Sequence, residues 1–150
     1  MNKVILYTDG GCSPNPGEGS IGIYMKFEDG VVKTISNYFP FTTNNQMELM
    51  AFIVSLDYLT LLGKSFEIDY YSDSQYLINT LINGWKRNKN IILWNIIDKL
   101  IVKHKVNFNK VKAHSDNKLN NIVDSLCHSA RKDKIVDEKY NNVIKRINNE

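Results

Sequence analysis

The sequence predicts an α/β fold, in which an antiparallel meander of three strands is followed by alternating helices and strands. Three observations carry that reading. Lys3 to Tyr7 is an apolar, β-branched run of the kind that forms a buried central strand. Glu28-Asp29-Gly30 is an Asp-Gly hairpin signal between two further strand-like runs. Beyond it, a helical stretch leads into Phe66 to Tyr71, a strand that is followed at once by another helical stretch.

In chain order, strand one covers residues 3 to 9 and runs into the turn Gly10-Gly11-Cys12-Ser13-Pro14-Asn15-Pro16-Gly17. Glycines there let the backbone take unusual dihedrals and approach a bulky ligand closely. Gly19 to Phe27 and Val31 to Phe39 form strands two and three. Thr42-Thr43-Asn44-Asn45 supplies N-cap chemistry for a helix over Met47 to Leu62, which Gly63 ends. Its apolar residues leave few polar breaks, so this helix is expected to be well packed, with Glu48 the exception in its first turn. Phe66 to Tyr71 is strand four, and Ser74 starts a short helix to about Asn83. A right-handed crossover makes strand four parallel to strand one. Residues 84 to 90 are a polar, basic link, 91 to 103 an amphipathic helix and 106 to 111 a fifth strand. A loop over 112 to 119 leads to one last helix, from about Asn120 towards the C-terminus, with a frayed end.

At 150 residues, with no repeat or linker, the chain reads as one domain over residues 1–150. Its 43% hydrophobic and 23% charged residues suit a soluble globular protein. Two cysteines make neither a metal pattern nor a disulfide scaffold, no signal peptide is visible, and no apolar run is long enough to span a bilayer. The expectation is a reduced, cytoplasmic setting without a membrane partner. The net charge of +3 is unevenly spread. Ile82 to His114 holds eight Lys/Arg against one acid, Asp98, a stretch suited either to a polyanion or to a solvated helical face.

Open α/β sheets collect ligands at the carboxyl ends of parallel strands. Asp9 and Asp73 lie at such ends, on strands expected to be neighbours; Glu48 sits in the first turn of the helix, and Asp124 near the start of the last one. Asp9 taken alone serves equally well as a turn cap. Converging carboxylates, however, repel one another and need a counter-charge. Hard oxygen donors suit Mg²⁺ or Mn²⁺, and two such ions about 3.5–4 Å apart promote phosphodiester hydrolysis.

Four blocks then carry a resemblance. They are Thr8-Asp9-Gly10 with Asn15-Pro16-Gly17, Thr43 to Leu49, Ser72 to Tyr76, and Val111-Lys112-Ala113-His114 with Asp124 ten residues on. In this order, over residues 4 to about 130, they resemble type 1 ribonuclease H. The resemblance implies a ribonuclease H-like fold, a five-stranded mixed sheet flanked by helices, and endonucleolytic hydrolysis of the RNA strand of RNA·DNA hybrids. It further implies 5′-phosphate and 3′-hydroxyl products, two Mg²⁺ ions with Mn²⁺ as a substitute, and a monomer. By motif match Asp9, Glu48, Asp73 and Asp124 are the metal ligands, and His114 assists proton transfer or product departure. RNA alone offers a 2′-hydroxyl; in the family it is read by the backbone near Gly11 and Cys12 and by side chains matching Asn15, Asn44, Asn45 and Gln75. The plainer role for Asn44 and Asn45 is helix capping. Thr43 and Asn90 match a DNA phosphate pocket, and Trp85 a support for the DNA backbone. Trp94 reads as core, and His104 and His128, which match no motif, as structural.

Two departures stand out. Many family members carry a longer basic insertion where this chain has Gly84 to Asn90, leaving Lys86, Arg87 and Lys89 to compensate. Phe41 stands where an Arg often precedes the Thr-Thr-Asn block. No amino-terminal hybrid-binding module is seen, so processivity from one is not expected. A non-catalytic hybrid-binding module, or a nuclease of the same fold acting on another nucleic acid, are the competing readings.

Overall fold

The computed structural model describes residues 2–111 and 117–148. Its strands are β1 (Asn2–Cys12), β2 (Gly17–Phe27), β3 (Val32–Thr42), β4 (Phe66–Ser72) and β5 (Lys105–Lys110). Its helices are α1 (Asn44–Leu61), α2 (Gln75–Asn83), α3 (Ile91–Ile101), α4 (Lys118–Asp133) and α5 (Glu138–Asn148). The sheet runs β3-β2-β1-β4-β5, with antiparallel pairs β1/β2 and β2/β3 and parallel pairs β1/β4 and β4/β5. This is the mixed five-stranded sheet expected.

Alternation along β1 sorts its side chains between two layers. Val4 and Leu6 enter the main core with Ile21, Ile23, Met25 and the α1 residues Met47, Met50 and Phe52. Tyr7, on the other face, packs with Val123 of α4 and Val111, beside Tyr71. α1 is buried around most of its circumference. Thr43 caps it through a bond from the Gln46 amide to Oγ1, and Gly63 follows it at positive φ. Ser74 caps α2, and Gly84 ends it in the left-handed region. Trp94, 1% exposed, is core, with Nε1 donating to the Tyr76 hydroxyl. His104 is structural too. Nδ1 accepts from the Phe66 amide, and Nε2 lies 3.0 Å from Thr60 Oγ1.

Three expectations need correction. β1 continues through Gly10 and Gly11, which pair with Ile21 and Ser20, and the turn is confined to residues 13–16. The ladder with β2 satisfies backbone groups that the glycine signal assigns to a turn. Next, Asn44 does not cap α1: its Oδ1 accepts from the Cys12 amide at 2.8 Å. Finally, the single last helix is two. Lys134 takes a left-handed conformation, and the link to α5 bonds to β3: Tyr38 donates to the Ile135 carbonyl, and the Asp137 amide donates to Asn37 Oδ1. Asn37 Nδ2 also reaches Asn141 of α5 at 2.8 Å. Pairing along β3 outweighs helical continuity.

Candidate active site

The site lies where β1 and β4 part. Their parallel pairing ends at Tyr7↔Tyr71, while β1 goes on with β2 alone. Asp9 is two residues past that point, opposite Gly22, and Asp73 is one residue past the end of β4. Strands that separate leave a crevice between their ends. Here it is a cavity of about 550 Å³ lined by Asp9, Asp73, Asp124, Asn44, Asn120 and Arg131, among others.

Two glycines bring helices into reach. A Cβ on Gly10 would overlap the Met47 carbonyl, so α1 lies against β1 and its next residue, Glu48, sits at the site. A Cβ on Gly22 would overlap the Val123 carbonyl, so α4 lies against β2 and carries the adjoining Asp124 to Asp9. The Cys127 thiol, one turn along α4, donates to the Asp9 carbonyl at 3.2 Å. Glu48 stands beside the acid cavity rather than in its lining, and its Oε2 accepts from Ser74 Oγ at 2.5 Å.

Burial lifts the Asp9 carboxyl to about 8, with the charge of Asp73 and a hydrogen bond and charge from Asp124 adding to the rise. Burial also raises Glu48, and Asp73 adds to it, whereas the Ser74 hydroxyl opposes it. Asn120 contributes a buried Oδ1 that has no hydrogen-bond partner among the described residues. Hard, electron-rich oxygens that lack a donor, beside carboxylates that resist ionising, fit a divalent cation. Among the described residues, no group of three His, Cys, Asp or Glu side chains forms a ready-made ion cage. Mg²⁺ commonly takes one or two carboxylates and completes its shell with water and substrate oxygens.

The expected substrate residues group into two patches. Asn15 Oδ1 accepts from the Asn44 amide at 3.1 Å and from the Cys12 thiol at 3.3 Å, tying the β1–β2 turn to the start of α1. Gly11 lines the cavity, whereas Cys12 is buried and its amide is engaged by Asn44. Asn45 and Gln75 are exposed at the starts of α1 and α2. Thr43 is the α1 cap. Around α3, Asn90 stands at the N-cap and donates to the Tyr76 hydroxyl at 3.3 Å, and Trp85 is 51% exposed. Arg87 is not free to compensate for the short insertion: it pairs with Asp98 at 2.7 Å and lies 4.7 Å over the Trp94 ring. Lys86 and Lys89 are exposed. His114 lies outside the described residues.

The RNase H family profile matches residues 1–132. The chain belongs to the ribonuclease H family. A ribonuclease H of Chlorobium phaeobacteroides strain BS1 is 43% identical over 146 residues, covering 88% of this chain and 97% of that protein. RNase H1 from the archaeon Halobacterium salinarum NRC-1 superposes with a TM-score of 0.74 at 25% identity, covering 87% of this chain and 98% of that one. LC11-RNase H1, solved in complex with an RNA/DNA hybrid, gives a TM-score of 0.72 at 24% identity, over 87% and 98% of the two chains. This ribonuclease H thus has the family's type 1 fold.

Three residues around Asp124 were not singled out by sequence reasoning in this ribonuclease H. Asn120, His128 and Arg131 stand four before, four after and seven after Asp124, on one face of α4. The helical period around Asp124 was the signal available. The side chain of His128 is 65% exposed, and its Nε2 lies 3.7 Å from Asp124 Oδ1. Its Nδ1 is 3.1 Å from Arg131 Nη2. Arginine only donates, so Nδ1 is the acceptor and the ring presents Nε2–H towards Asp124.

Proposed function

We propose that this ribonuclease H is an endonuclease for the RNA strand of RNA·DNA hybrids, leaving 5′-phosphate and 3′-hydroxyl ends. The observation that carries the reading is the acidic crevice at the β1/β4 divergence, with Asp9, Asp73 and Asp124 in its wall and Glu48 beside it. The hybrid bound to LC11-RNase H1, a protein of the same fold, supports the choice of substrate.

Asp9, Glu48, Asp73 and Asp124 would hold two Mg²⁺ ions, or Mn²⁺ in their place. When bound, such ions lower the pKa of water and neutralise charge on a phosphodiester. Ser74 holds Glu48 in one orientation. Gly11, Cys12, Asn15, Asn44, Asn45 and Gln75 form the face that meets the 2′-hydroxyls of the RNA strand, with the Cys12 amide acting through Asn44 rather than directly. Thr43 and Asn90 receive a DNA phosphate, and Trp85 packs against the DNA backbone. His114 passes a proton to the leaving 3′-oxygen or helps the product depart. The same reading takes residues 1–150 as one catalytic domain, acting as a monomer in the cytoplasm.

The experiment is cleavage of a 5′-labelled RNA annealed to DNA, with and without Mg²⁺, beside all-RNA and all-DNA duplexes. Metal-dependent cutting of the hybrid alone, lost in Asp73→Asn, is the expected result. Equal cutting of an all-RNA duplex, or normal turnover by Asp73→Asn, would refute it.

A further inference from the structure

Arg131 is a cation at the lip of an acidic cavity, yet among the described residues it forms no ion pair with a carboxylate. Its Nη2 faces His128 Nδ1 at 3.1 Å, which fixes one edge of the guanidinium. Its Nη1 reaches over Gly11, 3.9 Å from where a Cβ would stand; Asn44 Oδ1 lies 3.6 Å from that same point. The absent side chain therefore leaves a gap between the guanidinium and the Asn44 amide, open to the cavity. The charge of Arg131 also pulls down the Cys12 and Cys127 thiols on either side, against the larger effect of burial.

A guanidinium carries five N–H donors in a planar fork that suits phosphate. With one edge on His128 and no carboxylate partner among the described residues, the guanidinium brings Nη1 over Gly11 in the cavity wall. A group that only neutralised the acids would pair with one of them, and among the described residues this one does not.

We infer that Arg131 is a substrate-binding residue, clamping a backbone phosphate of the nucleic acid over Gly11, with His128 as the residue that positions it. This rests on the nuclease reading above and adds a contact to it. Through it, α4 supplies part of the phosphate binding that the short link of residues 84–90 does not.

The test is binding of a fluorescein-labelled RNA·DNA hybrid by anisotropy in Ca²⁺ buffer, from 50 to 200 mM salt, for wild type, Arg131→Ala and Arg131→Lys. The Ala variant should bind about tenfold more weakly. Its log Kd against log salt should be shallower by about one. Lys, which keeps the charge and loses the fork, should restore the slope but only part of the affinity. In Mg²⁺ cleavage the loss should fall on KM, with kcat within about twofold. Unchanged affinity and slope in the Ala variant would overturn the assignment. So would a fall in melting temperature with binding intact, which would make Arg131 structural. A wild type that binds but does not cut would count against the nuclease reading and leave the binding comparison valid.

Discussion

The Ser74 hydroxyl donates to Glu48 Oε2 at 2.5 Å, joining the cap of α2 to an acid that lies past the first turn of α1, because that helix starts at Asn44 rather than at Met47 as the sequence suggests. The same oxygen accepts from the Leu77 amide at 3.1 Å. One residue therefore starts a helix and orients an acid 26 positions earlier.

Ser74→Ala removes both bonds. Loss of the cap should cost about 1 kcal/mol, read as a lower denaturant midpoint. Because the hydroxyl opposes the rise in the Glu48 carboxyl, cleavage should fall more at pH 6 than at pH 8. A uniform loss across that range would show that Ser74 acts through the helix alone.

Asp9 couples the site to stability. Its carboxyl stays protonated to about pH 8 in the fold, whereas the unfolded chain releases that proton near pH 4. Between those values the native state binds more protons than the unfolded one, so stability falls as pH rises. Melting of the metal-free protein should drop from pH 5 to pH 8, and Asp9→Asn should flatten the curve while abolishing cleavage. Parallel curves for the two proteins would refute the cause assigned.

Divalent cations should reverse that trend. Mg²⁺ competes with the proton on Asp9 and binds the native state alone, so it should raise the melting temperature more at pH 8 than at pH 5. Scanning calorimetry with and without 10-fold excess EDTA checks this; an equal rise at both values would place the ion elsewhere.

Gly22 sets the distance between β2 and α4. Gly22→Ala forces a methyl group against the Val123 carbonyl, which should cost about 1–3 kcal/mol and displace Asp124. Activity should fall further than the lost stability explains, measured at a temperature where the variant remains folded. Full activity in the folded variant would show that α4 shifts without disturbing the acids.

Arg87 and its neighbours should differ in effect. Arg87 is engaged by Asp98 and Trp94, so Arg87→Ala should leave the salt slope of hybrid binding unchanged, whereas Lys86→Ala with Lys89→Ala should reduce it. The opposite ranking would mean that substrate draws Arg87 out of its ion pair.

Elements and caps were legible in the sequence because their signals are local. Apolar, β-branched runs and the Asp29-Gly30 hairpin signal mark the strands. Thr43 and Ser74 cap helices through bonds to amides three residues on, and Gly63 and Gly84 end them at positive φ. The four acids were legible from their motif blocks and because Asp9 and Asp73 follow apolar strand runs, although Glu48 and Asp124 lie past the first turns of α1 and α4 rather than in them. Less local features were not. Gly10 and Gly11 look like a turn and pair as strand because β2 lies alongside. α4 and α5 look continuous and break because β3 takes the bonds of the link.

The sequence by itself therefore determined the order and type of the elements as far as α4, the chain positions of the acids and the family. Tertiary structure decided which groups meet: Glu48 with Ser74, Arg131 with Gly11, Arg87 with Asp98 instead of solvent. The reason is physical. Propensities and caps act over a few residues along the chain, whereas these contacts depend on how closely helices settle on the sheet, and glycines at two strand positions set that distance.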